Sequence, residues 1–169
     1  MAIELIVEDG TGKPDSNTYA SLDYVRNYAE SLGVVLPSED EQVKVSMMQA
    51  MQFIEAMESR MRGQRVLATQ ALSWPRTGVY IRNHLNAYNV IPTELKKAQA
   101  QLVLDIKEGG PLYVVKQAYA LKRRKLEGLE QEWAVPGTGA ASLSNAHAVF
   151  YNLMTNLVIQ GATSSRVVR

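Results

Sequence analysis

Between Pro92 and the Gly109-Gly110-Pro111 stop, apolar residues recur at a spacing that an α-helix gathers into one face. Leu95, Ala98, Leu102 and Ile106 stand three or four residues apart, so helical geometry stacks them in a single stripe. Good helix formers fill the remaining positions, proline suits the first turn, and the Gly-Gly-Pro run ends the segment. Two earlier stretches have the same character. Ser21 stands as an N-cap before Leu22, Val25, Ala29 and Leu32, with Gly33 as the C-terminal cap, which predicts a helix over 22–32. Ser38 and Glu41 have the form of a capping box ahead of Val43, Met47, Ala50, Met51, Ile54 and Met57, with the helix ending before Gly63. The methionines Met47, Met48, Met51, Met57 and Met61 read as flexible core filling, some of them available to a neighbouring subunit. A fourth helix is expected from Asn145 to just before Gly161, with Ala146, Val149, Phe150, Leu153, Leu157 and Val158 on its inner face.

Between and around these helices the pattern is different. Ile3, Leu5 and Val7 alternate with Glu4, Ile6 and Glu8, which reads as an extended arm over residues 1–20, closed by the turn-rich Asp9–Asn17 run. Residues 63–90 read as irregular, with Trp74-Pro75 and Thr77-Gly78 as turn markers. Residues 116–135 form either a β-hairpin, its basic strand paired with an acidic one across Glu127-Gly128, or one continuous charged helix. The hairpin is the reading carried forward. The fold class is therefore mainly α: a small bundle of about four helices with a small β-hairpin and extended N- and C-terminal arms. Residues 1–161 form one domain and 162–169 a tail.

A chain of 169 residues, 46% hydrophobic and 21% charged, can bury one ordinary core. Its net charge of +1 gives no general pull toward nucleic acid or membrane, so any DNA contact must come from a local patch. The absence of cysteine excludes disulfides, thiolate nucleophiles and cysteine-bound metals. No stretch resembles a signal peptide or reaches the roughly 18 apolar residues of a membrane span. The expectation is a soluble protein made in the cytoplasm.

Catalytic constellations are not visible. His84 and His147 are far apart in sequence, no Gly-x-Ser-x-Gly context surrounds a serine, and each histidine reads as a surface or satisfied buried residue. Glu39, Asp40 and Glu41 suit a helix N-terminus better than a metal, and Glu8, Asp9 and Asp15 lack calcium-loop spacing. Gly10-Thr11-Gly12-Lys13 fails as a phosphate loop, because Val7 replaces the leading glycine and Pro14 follows the lysine; it reads as a turn. No enzyme, cofactor or metal is expected. The concentrated basic run Lys122-Arg123-Arg124-Lys125 is either a solvated strand face opposite Glu127, Glu130 and Glu132 or a phosphate contact. Tyr119 and Trp133 beside it would then offer a stacking platform for single strands, or else pack the hairpin on the core. Arg166-Val167-Val168-Arg169 is either a frayed end or a segment that adds to a partner's edge or groove. Trp74-Pro75-Arg76 reads as a packed loop: Trp74 anchors, Pro75 stiffens and Arg76 ties down a carboxylate or carbonyl.

Three stretches in order carry a resemblance: Leu5–Gly12 with Asn17–Ser21; Gln70–Val79, which holds the Trp-Pro-Arg-Thr-Gly block; and Ile91-Pro92 leading into Lys97–Leu102. Together, over most of residues 1–108, they resemble a phage family labelled DnaT-like single-stranded DNA-binding, whose members are similar in size and position to head–tail connector proteins. The resemblance implies a helical adaptor in a ring of about twelve copies beneath the portal, in the virion at the head–tail junction. Its partners would be the portal protein, a tail or further connector protein, and double-stranded DNA passing through without specific binding, with no membrane. Connectors of this kind use a C-terminal tail to grip the portal, which gives Arg166, Val167, Val168 and Arg169 that role, and Lys122–Lys125 a contact with channel DNA or a partner. A ring subunit needs two different complementary surfaces, and a nearly neutral chain with interspersed charges can supply them. The family label implies the alternative, a replication accessory that binds single-stranded DNA.

Overall fold

The computed structural model describes residues 3–110, 112 and 147–159, together with the backbone of the strand segments 123–126 and 129–132. Four helices organise it: α1 (Leu22–Ser31), α2 (Asp40–Glu55), α3 (Thr93–Lys107) and α4 (Ala148–Met154). Helix α3 sits at the centre and packs against each of the other three. That position explains why its buried surface is wider than one stripe. Leu95, Ala98, Leu102, Gln99, Ala100, Val103 and Leu104 are all buried, whereas Ile106 is only partly so. Burying one such leucine stabilises the fold by roughly 2 kcal/mol. The α2 stripe enters the same core in full, Val43, Met47, Ala50, Met51, Ile54 and Met57 alike. Phe53 joins it edge-on to Phe150 of α4, with ring centroids 5.5 Å apart.

Among the described residues six short strands make three separate two-stranded antiparallel pairs: β1 (Gln64–Arg65) with β2 (Arg76–Thr77), β3 (Tyr80–Ile81) with β4 (His84–Leu85), and β5 (Arg123–Leu126) with β6 (Leu129–Glu132). The last pair makes 123–126 and 129–132 antiparallel strands, as the hairpin reading expects; the other residues of 116–135 lie outside the described residues. The register sets Arg123 opposite Glu132 and Lys125 opposite Glu130, as pairing of a basic strand with an acidic one requires. The first two pairs give order to a segment that sequence reading left irregular.

Several local expectations are met and others need correction. Ser21 caps α1 by accepting the Tyr24 N–H, and Gly33 takes the left-handed conformation at φ +71° after the helix ends. Leu32, however, is 54% exposed, because the chain leaves the helix at that residue. The Ser38–Glu41 capping box does not form. Glu41 instead accepts the Ile3 N–H at 3.0 Å and Lys44 at 2.8 Å, fastening the N-terminal arm to the start of α2. The arm makes a single bridge, Val7 with Thr18, in place of a strand. Helix α4 stops at Met154, not near Gly161, and Val149 faces solvent. Leu157, in the turn after the helix, and Val158, bridged to Met61, are buried; the Ile159 N–H donates to the Arg60 carbonyl at 2.7 Å and the Arg62 N–H to that of Leu157 at 2.9 Å. Asn145, Ala146 and the tail 162–169 lie outside the described residues.

Candidate functional site

The residues that carry the sequence motifs are turned inward, and each braces a loop. Glu8 was expected on the polar side of an alternating arm, yet it is fully buried. Its carboxylate accepts the N–H groups of Gly10, Gly12 and Lys13, each at 2.9 Å, and the Ser16 hydroxyl at 3.0 Å. The Gly-Thr-Gly-Lys turn thus builds a small anion nest, and the chain's own carboxylate occupies it. Above this loop, Gln99 of α3 accepts from the backbone N–H of Tyr19 and of Ala20 and donates to Thr18 Oγ1 at 2.7 Å. The Tyr19 hydroxyl donates to Glu55 at 2.6 Å and accepts the Trp74 N–H at 3.1 Å. Burial, and then the neighbouring Glu55 carboxylate, pushes the Tyr19 phenol well above its usual range, so it stays a donor. Ser73 completes the cluster by donating its N–H and hydroxyl to the same carboxylate.

The Trp74-Pro75-Arg76 block lies in the segment between β1 and α3. Trp74 is fully buried, the Trp74–Pro75 peptide is cis, and Arg76 spreads its guanidinium over backbone carbonyls. Nε reaches Arg62 at 2.8 Å, Nη2 reaches Gly63 at 2.9 Å, and Nη1 reaches Ser73 at 3.2 Å. One buried cation thus closes the loop through its backbone carbonyls.

The other predicted positions separate. Arg123, Arg124 and Lys125 form β5, while Lys122 and Arg166–Arg169 lie outside the described residues. The two histidines follow the two structural fates foreseen for them. His84 is exposed on β4, and His147 is buried with its Nδ1 2.6 Å from Asp105. Among the described residues no group of three or more acids and histidines could hold a metal ion. Among the described residues no helix is long and apolar enough to cross a membrane.

What the described surface offers outward is apolar. The hairpin β3–β4 and the loop behind it expose Tyr80 (59%), Leu85 (62%), Tyr88 (61%) and Val90 (46%). Arg82 and Asn83 form the tight turn at φ +51° and +67°, the conformation of two-residue hairpins. Beside the C-terminal half of α1 and the loop that follows it lies a hollow of about 380 Å³, lined by Ala29, Gly33, Val34, Val35 and Leu36 with Arg26 and Glu30. Sequence reading missed both features. The Tyr80–Leu85 run did carry a signal, two apolar residues flanking a turn-forming Asn, but it lay inside a stretch read as loop. Charge is unevenly divided: residues 1–110 hold 11 basic and 14 acidic side chains, whereas 111–169 hold seven and three. Several cations of the first part are already held, as in Lys13–Asp9, Arg26–Asp40, Lys44–Glu41 and Arg65–Glu58.

Fold and site together define a small α-helical domain whose loops are braced from within. The family described as "Putative DnaT-like ssDNA binding protein" matches it over residues 3–169, and the chain belongs to that family. No curated protein and no solved structure matches it.

Proposed function

We propose that this protein is a structural adaptor of a tailed phage, a homo-oligomeric ring subunit that joins the head to the tail and lets DNA pass. One observation carries the reading. The motif residues Glu8, Tyr19, Gln99, Trp74 and Arg76 are consumed in bracing loops, which leaves apolar patches on an acidic body as its outward features. Such a body suits protein–protein assembly, because exposed apolar patches mark interaction sites and an acidic lining does not hold DNA. On this reading Arg166–Arg169 grip the portal and Lys122–Lys125 meet channel DNA or the next protein.

The family's description supports a second reading, single-stranded DNA binding. The excess of cations in residues 111–169 also speaks for it, since a basic strand with aromatic neighbours is a common platform for bases. The discriminating experiment is co-sedimentation with the portal ring of the same phage at near-physiological salt. Stoichiometric co-migration, lost on deleting residues 162–169, supports the adaptor and its grip. Co-migration that survives the deletion keeps the adaptor and removes the grip from the tail. No co-migration, together with tight binding of an oligonucleotide that weakens when Lys122, Arg123, Arg124 and Lys125 become glutamine, replaces the adaptor with the second reading.

A further inference from the structure

Gly110 and His147 bracket the segment 111–146, which carries the basic run, and one residue of α3 holds both of them. On the outgoing side the Gly110 N–H donates to the Asp105 carbonyl at 2.8 Å, just past the end of the helix. On the returning side His147 sets its Nδ1 2.6 Å from the carboxylate of the same Asp105. The two ends also touch. A Cβ placed on Gly110 would stand 3.3 Å from His147 Cε1 and 2.9 Å from the Asp105 carbonyl oxygen, so glycine is what lets them close.

The contact is dry and braced on every side. The His147 side chain is 0% exposed and that of Asp105 12%. The second Asp105 oxygen accepts Gln101 Nε2 at 2.9 Å, and Gln101 in turn accepts the Tyr28 hydroxyl of α1 at 3.1 Å. The His147 ring lies against Phe53 of α2 with centroids 6.1 Å apart, and its carbonyl accepts the Tyr151 N–H at 3.0 Å, which starts α4. Helices α1, α2, α3 and α4 all reach this pair. Beyond it the chain is committed to the core through Phe150, Met154, Leu157 and Val158. Removing one partner of a buried ion pair costs far more than removing one of an exposed pair, because the other is left in a dry site. Positions whose ends meet in this way are also where a fold accepts inserted chain, since no span has to be bridged between them.

We infer that Asp105 and His147 form a clasp at the root of residues 111–146, and that this basic segment is an insertion borne by a body built from residues 3–110 and 147–159. The basic strand β5 is thereby anchored to α3 and α4 through one buried pair. The clasp goes beyond the adaptor reading and is the same whether the segment meets a protein or DNA.

The test cuts the full-length chain without removing any of it. A recognition sequence for a site-specific protease is inserted between Gly137 and Thr138, and the folded protein is cleaved there. The two fragments remain one species on gel filtration and keep the helical circular dichroism of the uncut chain. Asp105→Asn raises the dissociation constant of the cut fragments, read by dilution, by about 100-fold or more. Gly110→Ala crowds the same contact and removes no charge; it raises the constant too, and replaces Asp105→Asn if that variant unfolds before cleavage. Fragments of the parent protein that part or lose their helical signal, or a site cleaved only after unfolding, overturn the inference by showing the segment to be part of the body. An unchanged dissociation constant in the variants overturns it by showing that this pair is not the clasp. None of these readouts involves the portal, so failure of the adaptor reading leaves the clasp standing.

Discussion

Replacing Arg76 with methionine tests whether this side chain closes the loop between residues 61 and 77. Methionine keeps the aliphatic stem and removes the guanidinium, so lost packing contributes little. The side chain is only 8% exposed, and four carbonyls face it: Arg62 at 2.8 Å, Gly63 at 2.9 Å, Ser73 at 3.2 Å and Met61 at 3.4 Å. The neighbouring Glu58 does not need it, since that carboxylate is held by Arg65 at 2.6 and 3.2 Å and lies 4.0 Å from Arg76. A hydrogen bond from a charged donor is worth about 1.5–3 kcal/mol net, so counting only the two short ones gives a loss of about 3–6 kcal/mol. For an ordered body of this size that lowers the melting temperature by roughly 10–20 °C. Arg76→Lys retains the charge but lacks the planar fork, and roughly half of the loss remains. Thermal unfolding followed by circular dichroism at several protein concentrations measures both variants. A fall of less than about 4 °C in the methionine variant, or equal falls in the two, would show that the carbonyl fan is not what holds this loop.

The remaining predictions address backbone and charge. Gly10→Ala destabilises the protein by more than about 3 kcal/mol in a urea titration, because a Cβ there would stand 1.9 Å from the Asn89 carbonyl oxygen. Gly33→Ala, with nothing within 4 Å of its Cβ, loses only the left-handed backbone preference, about 1–2 kcal/mol. The Asp9 carboxyl is held well below its ordinary value of 3.8 by the Thr11 hydroxyl first and then by Lys13. Its stabilising contribution is therefore present above that value and lost as pH falls beneath it, so Asp9→Asn removes part of the acid-side decline in stability seen in pH-dependent melts. Arg82→Gly relieves the strained turn and raises the stability of the protein by about 1 kcal/mol in the same urea titration.

The helices were legible in the sequence because burial on one face leaves a period that local residues reveal. The α2 stripe and the Pro92-to-Gly109 segment needed nothing but spacing and stop signals. The bracing network was not legible, because it joins residues remote in the chain. Nothing around Gln99 announces that it will accept the N–H groups of Tyr19 and Ala20, some 80 positions away. Glu8 was misplaced for a related reason. Period-two alternation counts side chains by polarity, but an acid with four donors folded around it is as well satisfied inside as in water. The same satisfaction of polar groups explains Glu41, which the capping-box pattern assigned to Ser38 and the fold uses to hold the arm. At Arg76 the sequence carried a local cue, since an arginine after a Trp-Pro turn has few uses in a packed loop besides tying down oxygen atoms.

The division of charge makes the two functional readings quantitatively different. If single-stranded DNA is the ligand, the acidic body cannot supply its phosphate contacts, and the seven cations of residues 111–169 must do so. Each neutralised phosphate on a single strand contributes about −0.7 to the slope of log affinity against log salt, so the slope can be no steeper than roughly −5. Four of the seven are Lys122, Arg123, Arg124 and Lys125, and their replacement by glutamine should flatten it by up to about 3. An adaptor whose channel passes DNA without holding it should show weak affinity that the same replacement scarcely changes. A slope well beyond −5 would mean that cations of the helical body, several of them now tied to carboxylates, are released to meet the strand, and the inward-braced architecture would then be the wrong account of the bound state.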